Sequence, residues 1–351
     1  MAPPAGRRAR LRDVAERAGV SVGSASQAFG HPELVSEQLR ERVLAAAEAL
    51  GYSGPDPAAR RLRLGRTGVL GLVFAERLRY QFTDPAAPAF LRGVARGMRR
   101  APLGLLLLPD SRYRREASRT VREAAVDGFI VYSVPRNDPR VAAALDRRLP
   151  VVTVDQPRDA PTAFVGIDDR AAARAAAEHL RGLGHERIAV LSFIRALDPE
   201  GTMVLDISVE RLAGYREGLG EAWDEGLVRV CRPNAAEPAR RAVLELLQGP
   251  DAPTAILAMS DVLAIGALQG AAERGVAVPE ALSLVGFDDS PAAALTNPPL
   301  TTLAQPHEEK GRLATRRLLD AIEHRTDVES RPTRDILPTE LVVRESTAPP
   351  A

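Results

Sequence analysis

LRDVAERAGVSVGSASQAFG, residues Leu11–Gly30, is the stretch from which the organisation of the whole chain can be read. At helical period Leu11, Val14, Ala15 and Ala18 fall on one stripe, while Arg12, Asp13, Glu16 and Arg17 face away. Gly19 stands where a helix end favours a left-handed residue. Val20 is an apolar plug, and Ser21 is a good N-cap for a second helix, Val22–Phe29. Ala15 is small enough for the two helices to cross closely. The pair reads either as a helix-turn-helix or as an ordinary α-hairpin with a solvated face. In the first reading Val22, Gly23, Ser24, Ser26 and Gln27 form the outer face of the second helix. Hydroxyls on such a face reach phosphates, and a glutamine can pair with an adenine edge.

The segment DVAERAGVSVGSASQAFG, Asp13–Gly30, resembles the opening of the LacI/GalR family of transcriptional regulators, and the similarity continues to the C-terminus. The family pattern runs DVA-x-x-AGVS into a recognition helix. This chain departs inside that helix, with Ser24-Ala25-Ser26-Gln27 where the family commonly has Thr-Val-Ser-Arg. The missing arginine removes a bidentate partner for guanine, so the operator is expected to differ from the family's commonest form. The resemblance implies a DNA interface that includes Arg12, Ser21, Val22, Gly23, Ser24, Ser26 and Gln27.

Composition agrees with a basic module on an acidic body. Through Arg66, eleven arginines stand against seven acidic residues, whereas the remainder carries 36 basic and 39 acidic residues. A single cysteine, Cys231, excludes an internal disulfide and fits a reducing cytoplasm. No apolar run is long enough to span a membrane, and MAPPAGRRAR has no hydrophobic region behind it to serve as a secretion signal. A cytoplasmic, nucleoid-associated protein is expected.

Ser36 caps a third helix, in which Leu39, Val43, Leu44, Ala47 and Leu50 repeat on one face and should close a small core against Val14 and Ala18. Gly51 stops it, which sets a helix-turn-helix domain at residues 9–56. The next segment, 57–66, reads as a basic linker or as a short helix, Ala58–Leu64, capped by Asp56. The resemblance implies the family's hinge helix, which folds in the minor groove when two copies pair. Leu62 matches the residue that wedges into a base step, with Ala59 and Arg60 around it. Between Tyr52 and Leu62 there is one residue more than the family's usual spacing.

From Thr67 apolar strands alternate with helices, which implies parallel sheets covered on both faces. A first series runs from Val69–Phe74 to Pro150–Asp155, and a second begins at Phe164–Asp169. The expected architecture is an effector-binding and dimerisation domain at 67–346 with a two-lobed, doubly wound, periplasmic-binding-protein-like α/β fold. Lobe 1 covers about 67–162 and 292–326, and lobe 2 about 163–291 and 327–346. Leu303 and the helix Glu309–Glu323 are expected in the first lobe, and LPTELVVR in the second. Ligands of such sheets lie outside the carboxyl ends of the strands.

The residues at those ends are Asp155, Ser260, Asp261 and Asp288, joined by Arg211 at a helix start and by Gln305. The resemblance places all six along the effector cleft. Carboxylates and a bidentate arginine suit a polyhydroxylated ligand, because each hydroxyl needs a fixed donor or acceptor once water is excluded. For the aspartates the alternative is N-capping of the next helix, strongest for Asp261 and Asp169. Tyr80 and Phe82 follow the first strand and either stack on a sugar face or pack their loop.

No catalytic constellation emerges. GRTGVLG lacks the order of a dinucleotide site, Lys310 has no glycine-rich run before it, and there is no HExxH or cysteine cluster. No cofactor or metal is expected. The reading is a non-enzymatic, sequence-specific repressor that binds a pseudo-palindromic duplex operator as a homodimer or tetramer under control of a small molecule, a sugar or sugar derivative. The alternative is a sugar-binding or sugar-processing protein with an unrelated helical N-terminus.

Overall fold

The computed structural model describes residues 9–54, 66–75, 84–100, 102–110, 114–194, 205–324 and 332–351. The chain divides into two compact units, Met1–Gly68 and Val69–Ala351. The hinge residues Ala59, Arg60 and Leu62, and the loop residues Tyr80 and Phe82, lie outside the described residues.

In the first unit α1 (Leu11–Ala18), α2 (Val22–Gly30) and α3 (Glu37–Ala49) enclose Val14, Ala15, Ala25, Ala28, Val43 and Ala47. Gly19 takes φ 67°, and the Val20 N–H then donates to the Ala15 carbonyl, closing the end of α1 as the turn requires. Ser21 caps α2 by accepting from the Ser24 N–H at 3.0 Å. In α3 the buried side chains are Val43, Ala46 and Ala47. Leu44, expected on that face, is exposed, because it follows Val43 by one residue and is rotated about 100° around the helix.

The second unit holds two six-stranded sheets. The first has β1 (Val69–Phe74), β2 (Gly104–Leu108), β3 (Gly128–Tyr132), β4 (Val151–Val154), β5 (Ala163–Ile167) and β11 (Arg334–Leu337), all parallel in the order β11-β5-β4-β3-β1-β2. The second has β6 (Ile188–Ser192), β7 (Val228–Val230), β8 (Ala255–Ala258), β9 (Ser283–Asp288), β10 (Thr301–Ala304) and β12 (Glu340–Val342) in the order β12-β10-β9-β8-β6-β7. Only β12 is antiparallel to its neighbour. Helices α4 (Ala86–Gly97), α5 (Arg114–Glu123), α6 (Pro139–Asp146) and α11 (His307–Glu323) cover the first sheet. Helices α7 (Asp169–Gly182), α8 (Asp206–Leu219), α9 (Ala236–Leu246) and α10 (Asp261–Glu273) cover the second.

The chain crosses between the lobes three times, at Asp168, at Gln305–Pro306 and at Pro338–Thr339. This corrects three expected placements. Arg334–Leu337, expected in the second lobe within 327–346, pairs with β5 at the edge of the first sheet, and only Glu340–Val342 joins the second. Ala163–Ile167 pairs with β4 and closes the first sheet, so the second series begins only at α7. Leu303 lies in β10, beside β9 of the second sheet, and only α11 after it returns to the first lobe. Short apolar strands carry no local mark of which sheet they join. Strand β2 is less buried than its composition suggests, since it is the sheet edge and Leu106 is exposed.

Helices α4 and α11 cross at backbone contact. A Cβ on Gly93 would lie 1.9 Å from the Glu308 carbonyl oxygen, and one on Gly311 would lie 2.2 Å from that of Phe90. Overpacking at such a crossing costs on the order of 1–3 kcal/mol. Gly93→Ala is therefore expected to lower the urea midpoint of the second unit; an unchanged midpoint would show that the two helices are not held this close.

Candidate functional site

Helix α2 carries the candidate DNA-reading surface. Ser21, Val22, Gly23 and Gln27 are exposed, whereas Ser24 and Ser26 are half-buried. The hydroxyls of Ser21 and Ser24 share a hydrogen bond of 2.8 Å at the helix start, so Ser24 also supports the cap. Arg12 is exposed on α1 and pairs with Glu16 one turn on, at 3.3 Å. A small, polar surface around an exposed Val22 suits close approach to base edges and to a thymine methyl.

The second candidate site is the cleft between the lobes, where the carboxyl ends of β4, β8 and β9 converge with two of the crossovers. Asp155 follows β4 with φ 63°, and Asp288 ends β9 with φ 122°. Non-glycine residues held in such conformations cost free energy and cluster at functional sites. Asp155 and Asp288 are joined by a chain of polar groups. The Lys310 ammonium on α11 donates to Asp155 Oδ1 and to Gln305 Oε1, both at 2.5 Å, and Gln305 Nε2 donates to Asp288 Oδ1 at 2.5 Å. Lys310 is fully buried.

Arg211, expected at a helix start, lies in the second turn of α8, which begins earlier at Asp206, and it is buried beside this chain. Its Nε donates to Asp169 Oδ1 at 2.9 Å, its Nη1 donates to the Met259 carbonyl at 2.7 Å, and its guanidinium lies 3.6 Å from the Phe287 ring centroid. Burial acts to lower the guanidinium pKa, but the Asp169 and Asp288 carboxylates outweigh it and hold the group charged. Tyr215, one turn along, donates to the Ala258 carbonyl, and burial pushes its phenol well up. Asp169 is not the cap of its helix. Asp168 caps α7, which leaves the Asp169 carboxylate for Arg211 and for Arg158 at 3.5 Å.

Asp261 is likewise not a cap, because Ser260 caps α10. Its carboxylate accepts from Thr302 Oγ1 and from the Ser290 N–H, both at 2.6 Å, and so ties α10 to β10 and to the loop after β9. Ser260 donates to Asn234 at 2.7 Å. The structure thus gathers Asp155, Gln305 and Asp288 in one hydrogen-bonded chain, while Ser260 and Asp261 support the neighbouring loops.

Across the cleft, lobe 1 meets the start of α8. Arg136 Nη2 donates to Asp206 Oδ1 at 2.8 Å, the Arg158 N–H donates to Asp206 Oδ2 at 3.0 Å, and the Ile207 N–H donates to Gln156 Oε1 at 3.4 Å. On the α4 and α11 side lies a cavity of about 490 Å³, lined among others by Ala86, Ala89, Asp288, Ser290, Gln305 and His307. Four buried polar atoms have no hydrogen-bond partner among the described residues, namely Ser208 Oγ, Ser290 Oγ and both ring nitrogens of His307. Two of the three residues that hold them line this cavity, and His307 Nε2 lies 3.6 Å from Asp288 Oδ1. Buried polar groups without partners are uncommon in folded proteins, and a ligand is one way to satisfy them.

Sequence reading missed Lys310, His307, Ser208, Ser290 and the Arg211–Asp169 pair. For Lys310 a signal existed, because it is the only lysine in the chain. His307 could have been marked as an imidazole at the start of a helix just beyond Gln305.

Burial, and then the neighbouring Asp288 carboxylate, push the Asp261 carboxyl from an ordinary value near 3.8 up to about 7. Between those values the native state keeps a proton that the unfolded chain has released, so Asp261 costs stability progressively as pH rises through the window. Asp261→Asn should gain on the parent in denaturant midpoint as pH is raised from 4 to 7 and level off above it. Parallel pH profiles for the two proteins would contradict this protonation.

Both parts of the chain have counterparts among known proteins. Residues 10–54 match the model described as bacterial regulatory proteins, lacI family, and residues 177–347 match the periplasmic binding protein-like domain. The chain is 39% identical to the HTH-type transcriptional regulator Rv3575c of Mycobacterium tuberculosis, with 100% of both chains covered. It is 36% identical to the regulator IpsA of Corynebacterium glutamicum, over 89% of this chain and 91% of that protein. A solved structure described as a transcriptional regulator CelR-cellobiose complex superposes with a TM-score of 0.71 at 31% identity, covering 97% of this chain and 100% of that one. The match at residues 10–54 removes the alternative of an unrelated helical N-terminus. The chain belongs to the LacI family of bacterial transcriptional regulators.

Proposed function

We propose that this regulator represses its target as a cytoplasmic homodimer, and that a sugar or sugar derivative bound between the two lobes of each protomer alters operator affinity. The observation that carries the effector reading is the set of unsatisfied buried groups, Ser290 Oγ and the His307 ring, in the cavity beside Asp288 and Gln305. Neutral hydroxyls both donate and accept, so one polyol can satisfy carboxylates, an imidazole and a serine hydroxyl at once. The cellobiose of the CelR complex supports the class of ligand.

In this reading Asp155, Arg211, Asp288 and Gln305 contact the effector, Tyr80 and Phe82 stack on a sugar face, and Ser260 and Asp261 hold the neighbouring loops. The Arg211 guanidinium lies over the Phe287 ring, and Arg211 Nη2 has no partner among the described residues. On the DNA side Ser21, Val22, Gly23, Ser24, Ser26 and Gln27 enter the major groove of a pseudo-palindromic operator, with Arg12 on phosphate. Leu62 wedges into the minor groove, with Ala59 and Arg60 of the hinge around it. The exposed Leu106 on the edge strand β2 supports a second copy as its cover. No catalytic role is proposed for any of these residues.

Two substitutions separate the functions. Arg211→Lys keeps a cation beside Asp169 but loses the planar fork and the ring stack. It should bind a duplex from the protein's own promoter region like the parent and lose release by sugar. If parent and variant are released at the same sugar concentration, Arg211 is structural only. Leu62→Ala should weaken operator binding about tenfold or more in a gel shift, with the effector affinity of the second unit retained. Equal operator affinity would make the segment a plain linker.

A further inference from the structure

This chain has 46 arginines and one lysine, Lys310. Basic surface positions tolerate either residue, so such a bias leaves lysine only where a guanidinium cannot serve. Lys310 is at such a position. It has no exposed surface, and its ammonium sits between Asp155 Oδ1 and Gln305 Oε1 at 2.5 Å each. A guanidinium is planar, longer and built to pair with two oxygens of one carboxylate, whereas an ammonium is a compact, tetrahedral donor that can serve two separate acceptors.

We propose that Lys310 is the positioning residue of the effector cleft, holding Asp155 and, through Gln305, Asp288 in the orientation that receives the ligand. This proposal rests on the cleft being the effector site. The geometry gives Lys310 a place in both lobes' chemistry. Asp155 ends a strand of the first sheet and Asp288 a strand of the second, while Gln305 stands on the crossover between the lobes. Each carboxylate uses Oδ1 in the chain and keeps Oδ2 on the other side. Asp155 Oδ2 has only a long contact, 3.4 Å, from Ser133 Oγ, and Asp288 Oδ2 has no partner among the described residues. Gln305 must present Oε1 to Lys310, and this turns its Nε2 donor toward Asp288. The ammonium therefore fixes the amide, and the amide fixes the second carboxylate. Backbone φ angles of 63° at Asp155 and 122° at Asp288 aim these side chains where an ordinary strand end would not.

Because the chain has one lysine, protein labelled with 15N-lysine gives one side-chain ammonium resonance. In the ligand-free regulator that resonance should persist at neutral pH and room temperature, where a solvated ammonium is lost to exchange. Asp155→Asn and Gln305→Leu should each shift it or speed its exchange. A rapidly exchanging signal, or one indifferent to both substitutions, would overturn the proposal. With cellobiose as probe, the parent resonance should shift on saturation, and Lys310→Met and Lys310→Arg should each weaken cellobiose binding at least tenfold. Equal affinity in folded variants would overturn the positioning role. Variants that do not fold leave the decision to the exchange measurement on the parent. Cellobiose that leaves the parent resonance unmoved counts against a disaccharide effector, and the exchange measurement then decides the proposal by itself.

Discussion

A buried cation needs a carboxylate, and two such pairings set the geometry on which this regulator depends. Arg211 and Lys310 lie inside the second unit with almost no exposure, and each is met by an aspartate at or just beyond the end of a parallel strand, Asp169 after β5 and Asp155 after β4. Removing one partner from such a pair leaves an uncompensated charge in a low-dielectric interior, which is far costlier than losing an exposed pair. The pairs therefore constrain the lobes as much as the cleft. Asp169 lies just past the first crossover and Gln305 on the second, so the groups that can meet a ligand are also those around which the lobes are joined.

That coincidence gives a physical route from effector to DNA. A ligand that donates hydrogen bonds to Asp155 and Asp288 acts on side chains of both lobes, which three crossovers of the chain connect. The coupling required of such a switch is modest, typically about 1–3 kcal/mol between the two sites. On the far side of the cleft Asp206 receives Arg136 and the Arg158 N–H from lobe 1, a contact that any change in interlobe angle must alter.

Much of this was legible in the sequence, for local reasons. The period of Leu11–Ala18, the left-handed Gly19 and the Ser21 cap act within one or two turns, and the structure reproduces each of them. Strands such as Val69–Phe74 and Ala255–Ala258 are continuous apolar runs, and so are easily found. Sheet membership was not legible, because Ala163–Ile167 and Thr301–Ala304 would suit either sheet, and only long-range pairing assigns them. At the site, Asp155 and Asp288 stood out as strand ends, and Arg211 and Gln305 through the resemblance to the family. Their partners did not, since Lys310 lies 155 residues from Asp155 and Asp169 lies 42 residues from Arg211. The alternative of helix capping for Asp169 and Asp261 fails because Asp168 and Ser260, one residue earlier in each case, are the caps.

If the cleft and the reading helix are two ends of one switch, their affinities are linked reciprocally. The most direct measurement is calorimetric titration of the intact regulator with an active sugar, once alone and once saturated with its operator duplex. The account predicts that the sugar Kd differs between the two titrations by about 5–150-fold, matching the factor by which the same sugar changes operator affinity. The same Kd in both titrations would contradict it, and would leave the cleft a binding site with no hold on the DNA.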